Sequence, residues 1–283
     1  MYDVIVIGSG PAGITAAIYA KRRNLSVMII SKGEGSLNKA KEIENYYGFD
    51  KQISGNELHE KGVKQALNLE IEIIEDEVLS IEKISHFEVT TVNSKYEAKA
   101  VILATGAHRN IPNIKGIKEF EGKGVSYCAV CDAFFYKGKD VAVLGNGNYA
   151  IHELEVLKPI AKSVTVFTNG EKIVENRSKN ININVNSKKI REFRGETQLQ
   201  DVEFEDDTTQ NLNGLFIALG TASSNDLARK IGAVVKNNSI VVNENMETSV
   251  PGLYACGDCT GGLLQISKAV YEGTKAGLAV LKS

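Results

Sequence analysis

Val4-Ile5-Val6-Ile7-Gly8-Ser9-Gly10-Pro11-Ala12-Gly13, near the start of the sequence, decides the fold. Four apolar, β-branched residues read as a buried strand. The Gly-x-Gly-x-x-Gly run turns the chain, and Ile14–Arg23 follows with helical spacing and small inward residues (Ala16, Ala17, Ala20). Ser26–Ile30 is the next buried strand. Strand, glycine run, helix, strand is the fingerprint of a dinucleotide-binding unit. Gly8 then makes the tight turn, Gly10 lets the backbone approach a pyrophosphate, and Gly13 lets helix and strand pack closely. The helix N-terminus favours the anionic pyrophosphate. The alternative is a glycine-rich turn with no ligand. An acid usually ends the second strand and holds the adenosine ribose; here the position is Ser31, whose hydroxyl donates or accepts.

The pattern recurs. Val141–Leu144 leads into Gly145-Asn146-Gly147-Asn148-Tyr149-Ala150, a helix to Leu157, and a strand at Ser163–Phe167. Both copies continue into hairpin-rich stretches: Val78–Ile84, Phe87–Val92 and Tyr96–Ala98 in the first, Lys188–Phe193 and Leu199–Glu205 in the second. Each then closes on an apolar strand before a glycine, Val101–Ala104 before Thr105-Gly106 and Leu215–Leu219 before Gly220. This is duplication at domain scale. The tail returns to the first copy through Val250–Asp258, a strand ending in Gly257-Asp258, and a helix over Leu264–Lys282 with Ala269, Ala276 and Ala279 for close packing. The sequence therefore predicts an α/β fold of two Rossmann-like three-layer domains, the second inserted into the first. Residues 1–113 and 212–283 form one domain and 114–211 the other, with crossings in the loop-like stretches Pro112–Gly116 and Asn211–Gly214.

Composition agrees with a packed two-domain protein: 283 residues, 43% of them hydrophobic, and a net charge of −2. Nothing in that charge points to a nucleic-acid or membrane partner, and no apolar run approaches the ~20 residues of a membrane span. The opening residues read as a strand rather than a signal peptide, and the expected location is cytoplasmic.

Cys128-Ala129-Val130-Cys131-Asp132 carries the chemistry. A CxxC before a helix brings two sulfurs within disulfide reach and lowers one thiol's pKa, and the thiolate is the nucleophile. Asp132 is placed to return a proton. In a reducing cytosol such a pair is redox-active or metal-binding. Cys256 and Cys259 form a second CxxC, so a Cys₄ zinc site is the competing reading; otherwise they are plain buried thiols.

Taken together, Gly8–Gly13, Glu44-Asn45-Tyr46-Tyr47-Gly48-Phe49, Ala104-Thr105-Gly106-Ala107, Gly124–Asp132, and Ala255–Asp258 followed by Gln265 resemble the low-molecular-weight thioredoxin reductase family of flavoproteins. The resemblance covers nearly the whole chain. It implies FAD held by Gly8, Ser9, Gly10, Pro11, Ala12 and Gly13, with Asn45, Val78, Thr105, Gly106, Gly257, Asp258, Gln265 and Ile266. It implies a homodimer, and a Cys128–Cys131 disulfide that exchanges electrons with flavin and then with thioredoxin. In that scheme Cys131 faces the flavin and Cys128 attacks the partner's disulfide. The residues themselves support part of this: Asp258 ends a strand at the carboxyl edge, where a carboxylate accepts from ribityl hydroxyls, although Gly-Asp also makes turns. Asn45 reads equally well as a cap or turn residue.

The second nucleotide loop departs from the family pattern. NADPH-dependent members carry His-Arg-Arg after the second strand to grip the 2′-phosphate; here the positions hold Phe167-Thr168-Asn169, and no arginine follows until Arg177. Lost charge-assisted bonds to the phosphate are worth ~1.5–3 kcal/mol each. Tyr149 stands where a small residue usually opens the helix N-terminus, and Asn176–Asn186 looks trimmed. Two readings follow: an NADH enzyme with Glu171 as a displaced ribose partner, or a domain that no longer binds nicotinamide. The second resembles the ferredoxin-linked flavin thioredoxin reductases. A donor near about −400 mV reducing a dithiol couple near about −270 mV gains ~6 kcal/mol for two electrons. An acidic ferredoxin would want a basic surface, and Lys21-Arg22-Arg23 and Lys188-Lys189 with Arg191 are candidates or ordinary solvated faces. A non-catalytic flavin redox sensor would keep the same motifs. His59, His86, His108 and His152 are scattered, and the sequence gives none of them a catalytic role.

Overall fold

The computed structural model describes residues 1–33, 35–106, 112–174 and 183–280. His108, Ala107, Arg177, Lys282 and most of Asn176–Asn186 lie outside them. The chain divides into two compact units, Met1–His108 with Ser223–Ser283, and Arg109–Ala222.

The first unit begins with β1 (Tyr2–Ile7), α1 (Pro11–Lys21) and β2 (Val27–Ser31). Val4–Ile7 and Val27–Ile30 are buried throughout, as parallel strands covered on both faces require. Next come α2 (Gly55–Asn68), capped by the Ser54 side chain accepting from Glu57 N–H, then β3 (Glu72–Glu75), β4 (Val78–Lys83), β5 (Phe87–Thr91) and β6 (Lys95–Leu103). The expected Tyr96–Ala98 and Val101–Ala104 are one continuous strand. Its first half pairs antiparallel with β5 and its second half parallel with β1.

The second unit holds β7 (Val125–Ser126), α3 (Ala129–Asp132), β8 (Asp140–Leu144), α4 (Asn148–Leu157), β9 (Ser163–Phe167) and β10 (Asn184–Asn186). A small antiparallel meander follows, β11 (Ile190–Gly195), β12 (Leu199–Phe204) and β13 (Thr209–Asn211), and then β14 (Gly214–Ile217). The return to the first unit runs through α5 (Ser224–Lys230), β15 (Val235–Lys236), β16 (Ser239–Ile240), β17 (Leu253–Ala255) and α6 (Ile266–Ala279).

Among the described residues, β3-β2-β1-β6 with β17 on β6 matches β10-β9-β8-β14-β7, strand for strand. Two Rossmann-like α/β units are therefore present, the second inserted into the first. The expected crossing at Asn211–Gly214 falls later in the chain. Gly214–Ile217 is fully buried and pairs with β8 and β7, so it belongs to the second sheet, and the first unit resumes at Ser223. The closing helix lies hard against α1 through two glycines that pattern reading passed over. A Cβ at Gly273 would sit 2.3 Å from the Ala12 carbonyl oxygen, and one at Gly277 would sit 2.4 Å from that of Ala16.

Candidate active site

Parallel register gathers most of the sequence-predicted cofactor residues at one edge of the first sheet. Ile7 lies beside Ile30 and Leu103, and Leu103 beside Ala255. The chain leaves these neighbours as Gly8–Gly13, Ser31, Thr105-Gly106 and Gly257-Asp258, all at the carboxyl ends, where ligands bind in open α/β sheets. Val78 follows closely, because Asp76 N–H donates to the Ser31 carbonyl (3.0 Å). Asn45 Nδ2 donates to Gln265 Oε1 (3.3 Å), which places the excursion after β2 against the start of α6 at Ile266. Thr105 is held by Ser224: the hydroxyls are 2.7 Å apart, and Ser224 N–H donates to Thr105 Oγ1.

In the second unit Cys128 and Cys131 are joined as a disulfide with Cα atoms 5.3 Å apart. Cys128 is buried and caps α3, its Sγ accepting from Cys131 N–H (3.1 Å), while Cys131 is exposed. Ser126 Oγ accepts from Cys128 N–H and donates to Asp132 Oδ2 (2.6 Å), so Asp132 is tied to the thiol segment through one hydroxyl. Glu153, buried on α4, accepts from Ala129 N–H (2.8 Å) and anchors the residue after Cys128. Exposed Val130, Phe134 and Phe135 surround the pair in sequence.

The second glycine loop is differently dressed. Val174 N–H donates to the Asn146 carbonyl (2.8 Å), and Asn146 Nδ2 donates to the Lys172 carbonyl (3.1 Å). Lys172–Val174 is thereby fastened to the residue between Gly145 and Gly147. At the positions of the missing basic run, Phe167 is fully buried with its ring 5.7 Å from that of Phe204, and Thr168 is buried. Asn169 spends its Oδ1 on Ile190 N–H. Tyr149 is buried in this unit, and Glu171 is exposed.

Residues 2–273 match the family described as pyridine nucleotide-disulphide oxidoreductase. A thioredoxin reductase of Ureaplasma parvum is 37% identical over 98% of this chain and 95% of its own. The chain belongs to the thioredoxin reductase family. Two solved structures extend the likeness. The atypical thioredoxin reductase TRi of Desulfovibrio vulgaris Hildenborough has a TM-score of 0.94 at 37% identity, covering 99% of this chain and 97% of that one. A ferredoxin-flavin thioredoxin reductase of Clostridium acetobutylicum has a TM-score of 0.72 at 35% identity, with the same coverage.

Members of this family are disulfide oxidoreductases with FAD as cofactor, and FAD is the cofactor of this chain. The first unit's edge fits it. Among the described residues, each glycine's own chain neighbours aside, no atom lies within 4 Å of a Cβ built at Gly10 or Gly106, which leaves room for a ligand against the backbone. Asp258 makes no side-chain hydrogen bond among the described residues, so it offers an open acceptor.

Several supporting residues escaped the sequence. Lys268 Nζ donates to the carbonyls of Gly257 (2.8 Å) and Gly261 (2.6 Å), and its i,i+4 partner Glu272 accepts from Gly257 N–H (2.9 Å). This helix pair clamps the turn that presents Asp258. Ser126, Glu153 and Ser224 hold their neighbours in the same way, and of these supporting residues only Lys268 and Glu272 leave a sequence signal, their i,i+4 charge spacing. The basic runs proposed as docking faces are largely engaged. Arg23 donates to the Leu278 and Val280 carbonyls, Lys188 pairs with Asp206, and Arg191 with Glu203 and Asp207. His86 lies by Glu97 at the surface.

Cys256 and Cys259 are buried in the first unit, and among the described residues no group of three or more His, Cys, Asp or Glu could hold a metal. Burial pushes the Cys256 thiol well above its ordinary value and Cys259 up to about 12. A thiol titrating near 12 is only about one part in ten thousand thiolate at pH 8. Native oxidised protein is therefore expected to show no thiol reactive toward a disulfide reagent, and unfolded, unreduced protein two. Rapid labelling of two thiols in the native state would contradict this burial. No helix among the described residues is long and apolar enough to cross a membrane.

Proposed function

We propose that this chain is a thioredoxin reductase whose electrons come from a ferredoxin-type protein rather than from NADPH or NADH. One observation carries the reading: the second glycine loop, where either nicotinamide's pyrophosphate would bind, is fastened to Lys172–Val174, and a buried phenylalanine, a buried threonine and a committed asparagine stand at the positions that would grip the 2′-phosphate of NADPH. The likeness to the ferredoxin-flavin thioredoxin reductase of C. acetobutylicum supports it.

FAD, when bound, supplies an acceptor that takes electrons singly and passes them on in pairs. Gly8–Gly13, Ser31, Asn45, Val78, Thr105-Gly106, Gly257-Asp258 and Gln265-Ile266 hold it. Reduction of the Cys128–Cys131 bond takes two electrons and two protons and yields two thiols. Cys128 thiolate then attacks thioredoxin's disulfide, forming one S–S bond and expelling one thiolate. Cys131 attacks Cys128 in turn, releases reduced thioredoxin and restores the starting disulfide. Asp132, steadied by Ser126, returns the proton to the departing sulfur. Cys128 is buried in this structure, so its attack requires a rearrangement that uncovers it. Val130, Phe134 and Phe135 supply apolar surface beside the thiols for a protein partner. The same reading includes a homodimer, supported by exposed Tyr47, Leu263 and Leu264 in the first unit.

Anaerobic mixing tests the donor. Flavin absorbance is expected to persist with excess NADPH or NADH and to bleach with reduced ferredoxin. Rapid bleaching by either nicotinamide would overturn the ferredoxin assignment and leave the dithiol chemistry standing.

A further inference from the structure

Ser31 takes the strand-end position where a carboxylate ordinarily receives a ribose hydroxyl, but it does not stand alone. Its Oγ lies 2.8 Å from Ser9 Oγ, and Ser9 Oγ lies 3.2 Å from His59 Nε2. The three groups arrive from three elements: Ser9 from the glycine loop, Ser31 from the end of β2, and His59 from α2. Ser9 is 7% exposed, and the other two are half-buried. The loop and β2 are locked together by Gly8 N–H donating to the Ile30 carbonyl (2.8 Å), and α2 is fixed by its Ser54 cap.

A hydroxyl both donates and accepts, and its hydrogen rotates to suit its neighbours. An imidazole nitrogen has a fixed direction and, in one tautomer, a fixed sense. With the proton on Nδ1, Nε2 accepts from Ser9, Ser9 accepts from Ser31, and the lone pairs of Ser31 are left facing outward. A chain of neutral groups then presents an acceptor, as an aspartate or glutamate would.

We propose that His59 is a cofactor-positioning residue: as the terminal acceptor of the Ser31–Ser9–His59 chain, it makes Ser31 the acceptor for the 2′-hydroxyl of the adenosine ribose of FAD. The proposal rests on the first glycine loop being the FAD site.

The test reconstitutes flavin-stripped full-length protein with FAD and with the analogue carrying 2′-deoxyadenosine, and reads affinity from flavin fluorescence. Wild type is expected to prefer FAD about tenfold, the value of one hydrogen bond. His59→Ala and Ser31→Ala should each bring that preference to within about twofold, and His59→Gln, which keeps an acceptor at similar reach, should restore it. Equal weakening of both ligands by His59→Ala would mean a structural role only and overturns the proposal. A wild type that binds both ligands equally overturns it too. A wild type that binds neither refutes the FAD site itself.

Discussion

Cys128→Ser and Cys131→Ser proteins are expected to remain yellow and folded while losing thioredoxin-reducing turnover by roughly three orders of magnitude or more, as removal of a nucleophile does elsewhere. Each step of exchange needs a sulfur as attacker or leaving group, and a serine hydroxyl is neither at neutral pH. The fold has little reason to suffer. Cys128 caps α3 by accepting from Cys131 N–H, and a serine oxygen accepts the same bond. The Ser126–Asp132 and Ala129–Glu153 bonds do not involve either sulfur. The two variants should differ in what they leave behind. Cys131→Ser keeps the attacking thiol and loses the resolving one, so it should accumulate a mixed disulfide with thioredoxin, visible on a non-reducing gel. Steady-state turnover by either variant above a few per cent of wild type would remove Cys128–Cys131 from the reaction.

The second large effect separates two glycines three residues apart. Gly13→Ala places a Cβ 1.9 Å from the Gly8 carbonyl oxygen and 3.3 Å from Ala104 Cβ. The backbone must give way. Overpacking of this kind is expected to cost about 3 kcal/mol or more, set against a helix-propensity gain of about 1 kcal/mol. Gly10→Ala is the counterpart. Its φ of −70° and ψ of 179° suit any residue, and among the described residues nothing beyond its chain neighbours lies within 4 Å of the new methyl. The protein should unfold at the wild-type temperature without flavin, yet bind FAD about a hundredfold more weakly, because the methyl stands where the pyrophosphate must approach. Thermal unfolding of both apoproteins and FAD titration of both variants decide it. Wild-type FAD affinity in Gly10→Ala would displace the cofactor from this loop.

Local sequence carries local geometry, and here it carried much. The first glycine run, its flanking strands and the thiol pair each declare themselves within about thirty residues, because hydrophobic period and turn chemistry are local. What escaped depends on partners far off in the chain. The sequence reads Leu215–Leu219 as the closing strand of the second copy, yet the expected boundary at residue 212 cuts it away; pairing of Gly214–Ile217 with Val141–Leu144 and Val125-Ser126 returns it to the second sheet. Lys268 and Glu272 look like an ordinary surface pair until the Gly257–Gly261 turn arrives beneath them. Arg23 reads as part of a cationic face until the end of the last helix presents its carbonyls. His59 gives no sign in one dimension, since Ser9 and Ser31 meet it only after α2 has docked.

The tether between Asn146 and Lys172–Val174 also bears on protein redesign. Grafting a run of arginines onto Phe167–Asn169 would add the missing positive charge without freeing the backbone beneath it. Two hydrogen bonds, each worth about 1 kcal/mol, would first have to be surrendered, and a buried aromatic ring evicted from its packing. Under the proposed ferredoxin-linked reading, retrofitting this scaffold for a soluble hydride carrier is a problem of reopening a door before changing its lock.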